Sequence, residues 1–353
     1  MKIVHIVYSL GLGGIETMLV NIANEQVRDN EVHIIVINNL YEKSLVASLD
    51  KNVHFHCLKR TLKSRNPIPV LTLNLLLMSL RPDIIHMHTA SIAMLLLPVF
   101  RKRLCATLHD VIRKESKKLK YLYKARKVFA ISNVVNQDLH KYMNIKSEVV
   151  CNGIKPELIN HNAHIGTGVF RIVQISRLDH LKKGQHILIK AVRKVVDDGY
   201  KNVSLDLIGE GESMEYLNSL VGELGLDSHV HFLGAKTQSY IFEHLHEYDL
   251  FVQPSIFEGF GLTVAEAMAA KIPVLVSENQ GPLEIIDNGK YGYSFKNQDV
   301  DDCAEKLEMF LNHQNDSKMV EYAYKRVCEC YNVKITAETY LAKYKELLAA
   351  KIN

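Results

Sequence analysis

The sequence predicts an α/β protein of two doubly wound, parallel-sheet domains. Three observations carry that prediction. A chain of 353 residues exceeds what one hydrophobic core usually serves. Its 47% hydrophobic and 23% charged content is that of an ordinary globular chain. Short β-branched runs also alternate with helix-period segments twice over, which is the pattern of βαβ units.

The first half supplies the strands KIVHIVYS, EVHIIVIN, VHFHCL, DIIHMH, CATLH and KVFAIS. The second supplies FRIVQIS, VSLDLIGE, HVHFLG, LFVQPS, IPVLVS and YGYSF, and from about residue 299 onward only helical segments follow. Between the two sets, INHNAHIGTG (159–168) is polar, glycine-containing and aperiodic, as an interdomain linker would be. The expected domains are therefore 1–165 and 166–333, with a terminal helix over 334–353. The longest apolar runs, VLTLNLLLMSL and SIAMLLLPVF, are about half a bilayer span, so no membrane crossing is expected. The six cysteines form no CxxC pair and no signal peptide precedes the first strand. Reduced thiols and a cytoplasmic location are the expectation.

The net charge of +4 conceals an asymmetry: residues 1–165 carry net +11 and the remainder net −7. The bias is densest in 101–127, where eleven basic residues meet only Asp110 and Glu115. A solvated helix face and a surface held against anionic lipid both fit, the second because Leu119, Leu122 and Tyr123 interleave with lysines in KESKKLKYLYK.

Open α/β sheets bind ligands at the carboxyl ends of their strands, which selects four clusters. GLGGIE (11–16) follows the first strand, His109-Asp110 follows CATL, Arg177 follows FRIVQIS, and Glu258 follows LFVQPS. GLGGIE is not a dinucleotide fingerprint, since Glu16 stands where the last glycine should be and Asn38-Asn39 replace the ribose-binding acid. A glycine loop opening a helix still suits a phosphate or a sugar hydroxyl, with a plain tight turn as the alternative. In RLDHLKKG (177–184), Arg177 with Lys182 and Lys183 either hold a diphosphate or are solvent-facing basic residues of a loop. In EGFGLTVAE (258–266), Glu266 fits either a ligand contact or a capping box with Thr263. His86 with His88 and His54 with His56 invite a metal, but no H-x3-H or Cys/His set completes them, and no metal is expected. His88 reads as a cleft residue, His86 as packed beside it, and His109 as either a satisfied core histidine or a site residue.

GGIE, TLHD, RLDHLKKG and the E-x7-E of Glu258 and Glu266 resemble, in order and spacing, the retaining GT-B glycosyltransferases of family 4, over nearly the whole chain. The resemblance implies two Rossmann-like domains facing a cleft, with the last helix crossing back to the first. It implies a glycosyltransferase that takes a nucleotide diphosphate sugar as donor, keeps anomeric configuration, and needs no cofactor or metal, and no Asp-x-Asp pair for a metal is expected anywhere in the chain. By the same resemblance Arg177 and Lys183 stabilise the departing diphosphate, and Gly14 approaches its phosphates. Glu266 holds the ribose, while Glu258 and the amides of Gly259, Phe260, Gly261 and Leu262 line the sugar. Gly13, Glu16, His88 and His109 face the acceptor, with His109 beside the transferred sugar. The implied acceptor is a glycan or lipid-linked glycan of surface polysaccharide assembly, with no role for nucleic acid, and the basic 101–127 segment, if it meets anionic lipid, would place it at the inner face of a membrane. QGPLEII (280–286) departs from the commoner GGLPE-type stretch, which leaves the sugar open. A nucleotide-sugar 2-epimerase of the same architecture and a non-catalytic nucleotide-sugar-binding protein are the alternatives.

Overall fold

The structure, a computed structural model, describes residues 1–11, 13–114, 117–162, 168–314 and 316–350. The chain divides into two compact units, Met1–Gly153 with Val333–Asn353, and Ile154–Asn332.

The first unit holds β1 (Lys2–Val7), β2 (Glu31–Asn38), β3 (His54–Arg60), β4 (Ile84–Met87), β5 (Leu104–Leu108), β6 (Lys127–Ala130) and β7 (Glu148–Val149). They form one sheet in the order β3-β2-β1-β4-β5-β6-β7, and each neighbouring pair is parallel. Both faces of a parallel sheet are covered, which is why the central strands read as nearly unbroken apolar runs. Ile3 in β1 pairs with Val32 on one side and Ile84 on the other, and all three are buried. The helix Val333–Ala349 belongs to this unit and packs Ala337, Tyr340, Tyr344 and Leu347 with Ile3, Ile84, Cys105 and Phe129. β7 was not foreseen, because two residues carry no readable period.

The second unit holds β8 (Phe170–Ile175), β9 (Val203–Ile208), β10 (Val230–Gly234), β11 (Leu250–Gln253), β12 (Val274–Ser277) and β13 (Tyr293–Phe295), in the order β10-β9-β8-β11-β12-β13. These pairs are parallel too. The helix Gln185–Asp197 buries Ile187, Leu188, Ala191, Val192 and Val195 in its core. Full burial of each of its larger aliphatic side chains contributes about 1.5–3 kcal/mol.

The units divide at 153/154, earlier than the boundary expected at 165/166. Ile154 bridges to Asn332, and the Asn160 amide donates to the Phe242 carbonyl at 2.9 Å, so this stretch is bonded into the second unit. Residues 163–167 of the expected linker lie outside the described residues. In each sheet the strand order reverses once, between β1 and β4 and between β8 and β11. Ligand crevices of doubly wound sheets open at such points.

Candidate active site

In the second unit, three loops meet at the carboxyl ends of β8, β11 and β12. The first carries Arg177 to Gly184. Arg177 is exposed, and its carbonyl accepts from the Gln185 side-chain amide at 2.9 Å. A short helix, His180–Lys183, follows and ends at Gly184 with φ +69°. A Cβ at 184 would lie 1.9 Å from the Pro254 carbonyl oxygen, so only glycine lets this loop approach the one after β11. Backbone bonds join them: the amides of Ile256 and Phe257 donate to the Lys182 carbonyl at 2.9 and 3.1 Å. Lys183 donates from Nζ to Glu258 Oε2, with both side chains largely covered. Two of the charged groups singled out in the sequence are thus already paired, 75 positions apart.

The loop from Glu258 is clamped from its other side by the QGPLE segment. The Glu258 amide donates to Gln280 Oε1 at 2.8 Å, and the Gly281 amide donates to the Glu258 carbonyl at 2.9 Å. Below it, Gln253, Ser255 and Ser277 are buried and bonded to one another through the Ser255 hydroxyl and carbonyl. Gly259 and the largely buried Phe260 lead to Gly261, at φ +105°, which precedes the helix Leu262–Ala269. No side chain caps this helix. The capping-box reading of Glu266 is therefore overturned: Thr263 lies inside the first turn and donates to Gln253 Oε1 at 3.4 Å. Glu266 is 8% exposed, and burial raises its pKa to about 7, with a hydrogen bond from the Gln238 side chain opposing the rise.

In the first unit, Gly13 precedes the helix Gly14–Gln26, and Glu16 lies in its first turn with its carboxylate folded back over Gly13. Leu12 of GLGGIE lies outside the described residues. His88 stands just beyond β4 and His109 just beyond β5, and they are joined by a chain the sequence did not reveal. Nε2 of His5 meets Gln26 Oε1 at 2.8 Å, Nδ1 of His5 meets His88 Nε2 at 3.1 Å, and Nδ1 of His88 meets His109 Nε2 at 3.1 Å. Burial lowers the pKa of His5 and His109 to about 4 and that of His88 well below its ordinary value, so the rings are neutral near pH 7. With the Gln26 oxygen accepting from His5, each ring donates through Nε2. His109 Nδ1 is then a lone pair, buried and without a hydrogen-bond partner among the described residues. A buried imidazole lone pair of this kind is able to accept one hydrogen bond. His88, read as a cleft residue, is instead a buried link with both nitrogens engaged.

The fold also assembles two groupings that sequence spacing could not show. Ligand atoms of His5, His86 and His88 lie within 4.8 Å of one another, as do those of Glu31, His33 and His54. His86 is fully buried, and its nitrogens bond Tyr344 at 2.5 Å and Thr107 at 2.7 Å. His33 bonds His56 and Glu31, each at 3.0 Å. An Asp-x-Asp does occur, at Asp299 and Asp301. Asp299 accepts from the amides of Asp301 and Asp302 at 3.0 Å as a helix cap, and Asp301 pairs with Lys194.

The KESKKLKYLYK segment is not an interfacial α-helix. Glu115 and Ser116 lie outside the described residues, Leu119–Lys124 is a 3₁₀ turn, and Leu122 is buried. A lysine-rich stretch cannot lay Leu122 on a membrane while the core of the unit holds it.

Residues 12–158 match the family model described as Glycosyltransferase Family 4, and residues 156–326 match Glycosyl transferases group 1. A sucrose synthase of Denitrovibrio acetiphilus is 37% identical over 156 residues, which is 41% of this chain and 20% of that protein. The chain therefore spans about a fifth of that relative's length. An uncharacterized glycosyltransferase of Methanocaldococcus jannaschii is 25% identical over 87% of each chain. The structure of Anabaena Alr3699/HepE in complex with UDP and glucose superimposes with a TM-score of 0.81 at 20% identity, covering 98% of this chain and 99% of that one.

Proposed function

Because the chain belongs to the GT-B glycosyltransferases of family 4 and group 1, we propose that it moves a sugar from a nucleotide diphosphate sugar to a hydroxyl of a glycan or lipid-linked acceptor. The proposal includes retention of anomeric configuration, independence of metal, and a place in surface polysaccharide assembly at the cytoplasmic side. The observation that carries it is the meeting of Lys183, Glu258 and the Gln280–Gly281 segment at the switch point of the second sheet.

In this reading the bond from the anomeric carbon to the diphosphate oxygen breaks while the acceptor oxygen bonds the same face of that carbon. The acceptor proton passes to a phosphate oxygen of the leaving group. Arg177 and Lys183 stabilise the charge growing on that group, a role worth about 3 kcal/mol per donor in a preorganised site. Lys183 is held for this by Glu258, whose remaining oxygen and the following amides address the sugar hydroxyls. Glu266 receives the ribose hydroxyls, and in the first unit the buried lone pair of His109 Nδ1 is an acceptor for a hydroxyl of a bound sugar.

Thermal-shift measurement against UDP, GDP, ADP and their sugar conjugates tests the reading. A ligand at a hundredfold excess over its dissociation constant stabilises by about 2.7 kcal/mol and raises Tm accordingly. Absence of a shift with every nucleotide would remove the donor assignment. Transfer should persist in EDTA, and loss that Mg²⁺ or Mn²⁺ restores would overturn metal independence.

A further inference from the structure

The helix Ile68–Leu80 is apolar all round, yet only one side of it is buried. Leu73, Asn74 and Leu77 face the core, while Ile68, Leu71, Leu75 and Met78 are 55–63% exposed. The spacing of those four, i, i+3, i+7 and i+10, lays them in one stripe. Asn74 extends the surface: its side chain donates to the Leu95 carbonyl and accepts from the Leu97 amide, each at 2.9 Å. This fastens the segment carrying exposed Met94, Leu97 and Val99 beside the helix. With Leu62, eight of the eighteen exposed large apolar side chains among the described residues fall between 62 and 99. Scattered single residues would need no explanation, but so dense a cluster marks an interaction surface.

Its surroundings select the partner. From 51 to 109 the chain has nine Lys and Arg and a single acid, Asp83. That acid is occupied, accepting from the Lys2 amide at 2.8 Å. Lys59, Lys63, Arg65, Arg81, Arg101 and Lys102 are exposed. A symmetric pairing of two copies through this face would set like charges against each other. An anionic bilayer accepts both components, apolar side chains between the acyl chains and cations among the headgroups. The helix has 13 residues, about 20 Å, too short to span the roughly 30 Å hydrocarbon core. No helix among the described residues is long and apolar enough to cross a membrane.

We propose that the Ile68–Leu80 helix and the adjoining 94–99 segment are a docking surface that lies in the headgroup region of an anionic membrane, rimmed by Arg65, Arg81, Arg101 and Lys102. The surface replaces the KESKKLKYLYK segment as the membrane contact. It deepens the proposed function by naming where a lipid-linked acceptor is met, and it rests on that reading only for the acceptor. Vesicle binding is read without nucleotide or sugar, so either conclusion can fail while the other stands.

The test is co-sedimentation of the full chain with vesicles of phosphatidylcholine alone and of phosphatidylcholine with phosphatidylglycerol. Binding is expected only with phosphatidylglycerol, at about fivefold per cation engaged, and to fall in high salt. Leu71→Ser with Leu75→Ser and Met78→Ser should weaken it about a hundredfold, because each change removes a half-exposed side chain available for insertion. Met78→Ser alone gives a smaller loss and covers the case in which the triple variant does not fold; Tm and circular dichroism report on folding. Arg65→Ser with Arg101→Ser and Lys102→Ser should remove the dependence on phosphatidylglycerol. Absence of binding to anionic vesicles at low salt overturns the proposal. So does binding that survives the apolar changes but is lost on changing Lys117, Lys118 and Lys120 to Ser. A dimer in light scattering that the apolar changes dissociate, without vesicle binding, assigns the face to a second copy and likewise overturns it.

Discussion

A carboxylate in a helix near a glycine loop has two ordinary uses, capping and ligand binding, and its surroundings separate them. Glu266 is covered, caps nothing, and titrates near 7 because burial disfavours its charge. Its folded pKa lies above the ordinary 4.5, so its contribution to stability is full below about 4.5 and is lost as pH rises through about 7. Glu266→Gln should therefore stabilise the fold at pH 8 by up to about 3 kcal/mol while weakening UDP binding, as urea unfolding and calorimetry would show. A stability gain with unchanged nucleotide affinity would leave Glu266 a buried acid without a ligand. The E-x7-E spacing was legible in the sequence. Gln238, which opposes the pKa shift, was not, because it lies 28 positions away and no local period points to it. The same holds for Gln26, which reaches His5 only because the helix Gly14–Gln26 packs on the strand that carries the histidine.

At the scale of elements, the loops after β8, β11 and β12 fit by the absence of side chains as much as by bonds. A Cβ at Gly281 would lie 2.4 Å from the Gly259 carbonyl oxygen. Gly281→Ala must push the Glu258–Gly261 loop away, so it should cost about 1–3 kcal/mol and lower UDP affinity together. Gly222 provides the contrast, since it lies within the helix Met214–Glu223 with nothing within 4 Å of its Cβ position. Gly222→Ala should gain up to about 1 kcal/mol by helix propensity alone and leave affinity unchanged. Equal effects of the two changes on affinity would remove the clamp as the cause. Alternating strands and helices were readable from period, and so were the glycine loops between them. Which of the apolar segments would be exposed was not. VLTLNLLLMSL carries no polar face to show which side meets solvent, and the KESKKLKYLYK segment shows the opposite error, with Leu122 buried.

Across the whole chain, titration is unevenly distributed. Among the described residues seven histidines have lowered pKa values, and six of them, His5, His33, His56, His86, His88 and His109, lie in the first unit. In each case desolvation is the leading cause, because a buried imidazolium forfeits its hydration. A folded pKa below the ordinary 6.5 contributes stability that is full above 6.5 and is lost as pH falls toward about 4. Denaturant unfolding followed by hydrogen exchange should show amides of the first unit losing several kcal/mol of protection between pH 7.5 and 4.5. The second unit, with His186 as its one lowered histidine among the described residues and Glu266 acting in the opposite sense, should lose less. Equal loss in both units would show that burial of these imidazoles does not govern acid stability.

The sequence by itself determined the α/β class, the two sets of parallel strands and the strand-end positions of GLGGIE, His109, Arg177 and Glu258. These depend on periods of two and 3.6 residues and on glycines that interrupt them, all of which are local. Only the tertiary structure decided that Lys183 pairs with Glu258, that His109 ends a buried chain beginning at Gln26, and that one face of the Ile68–Leu80 helix remains uncovered. Each of these is a relation between residues far apart in sequence, fixed by how strands order and helices dock. Burial, which sets their charge and availability, exists only once the chain has closed upon itself.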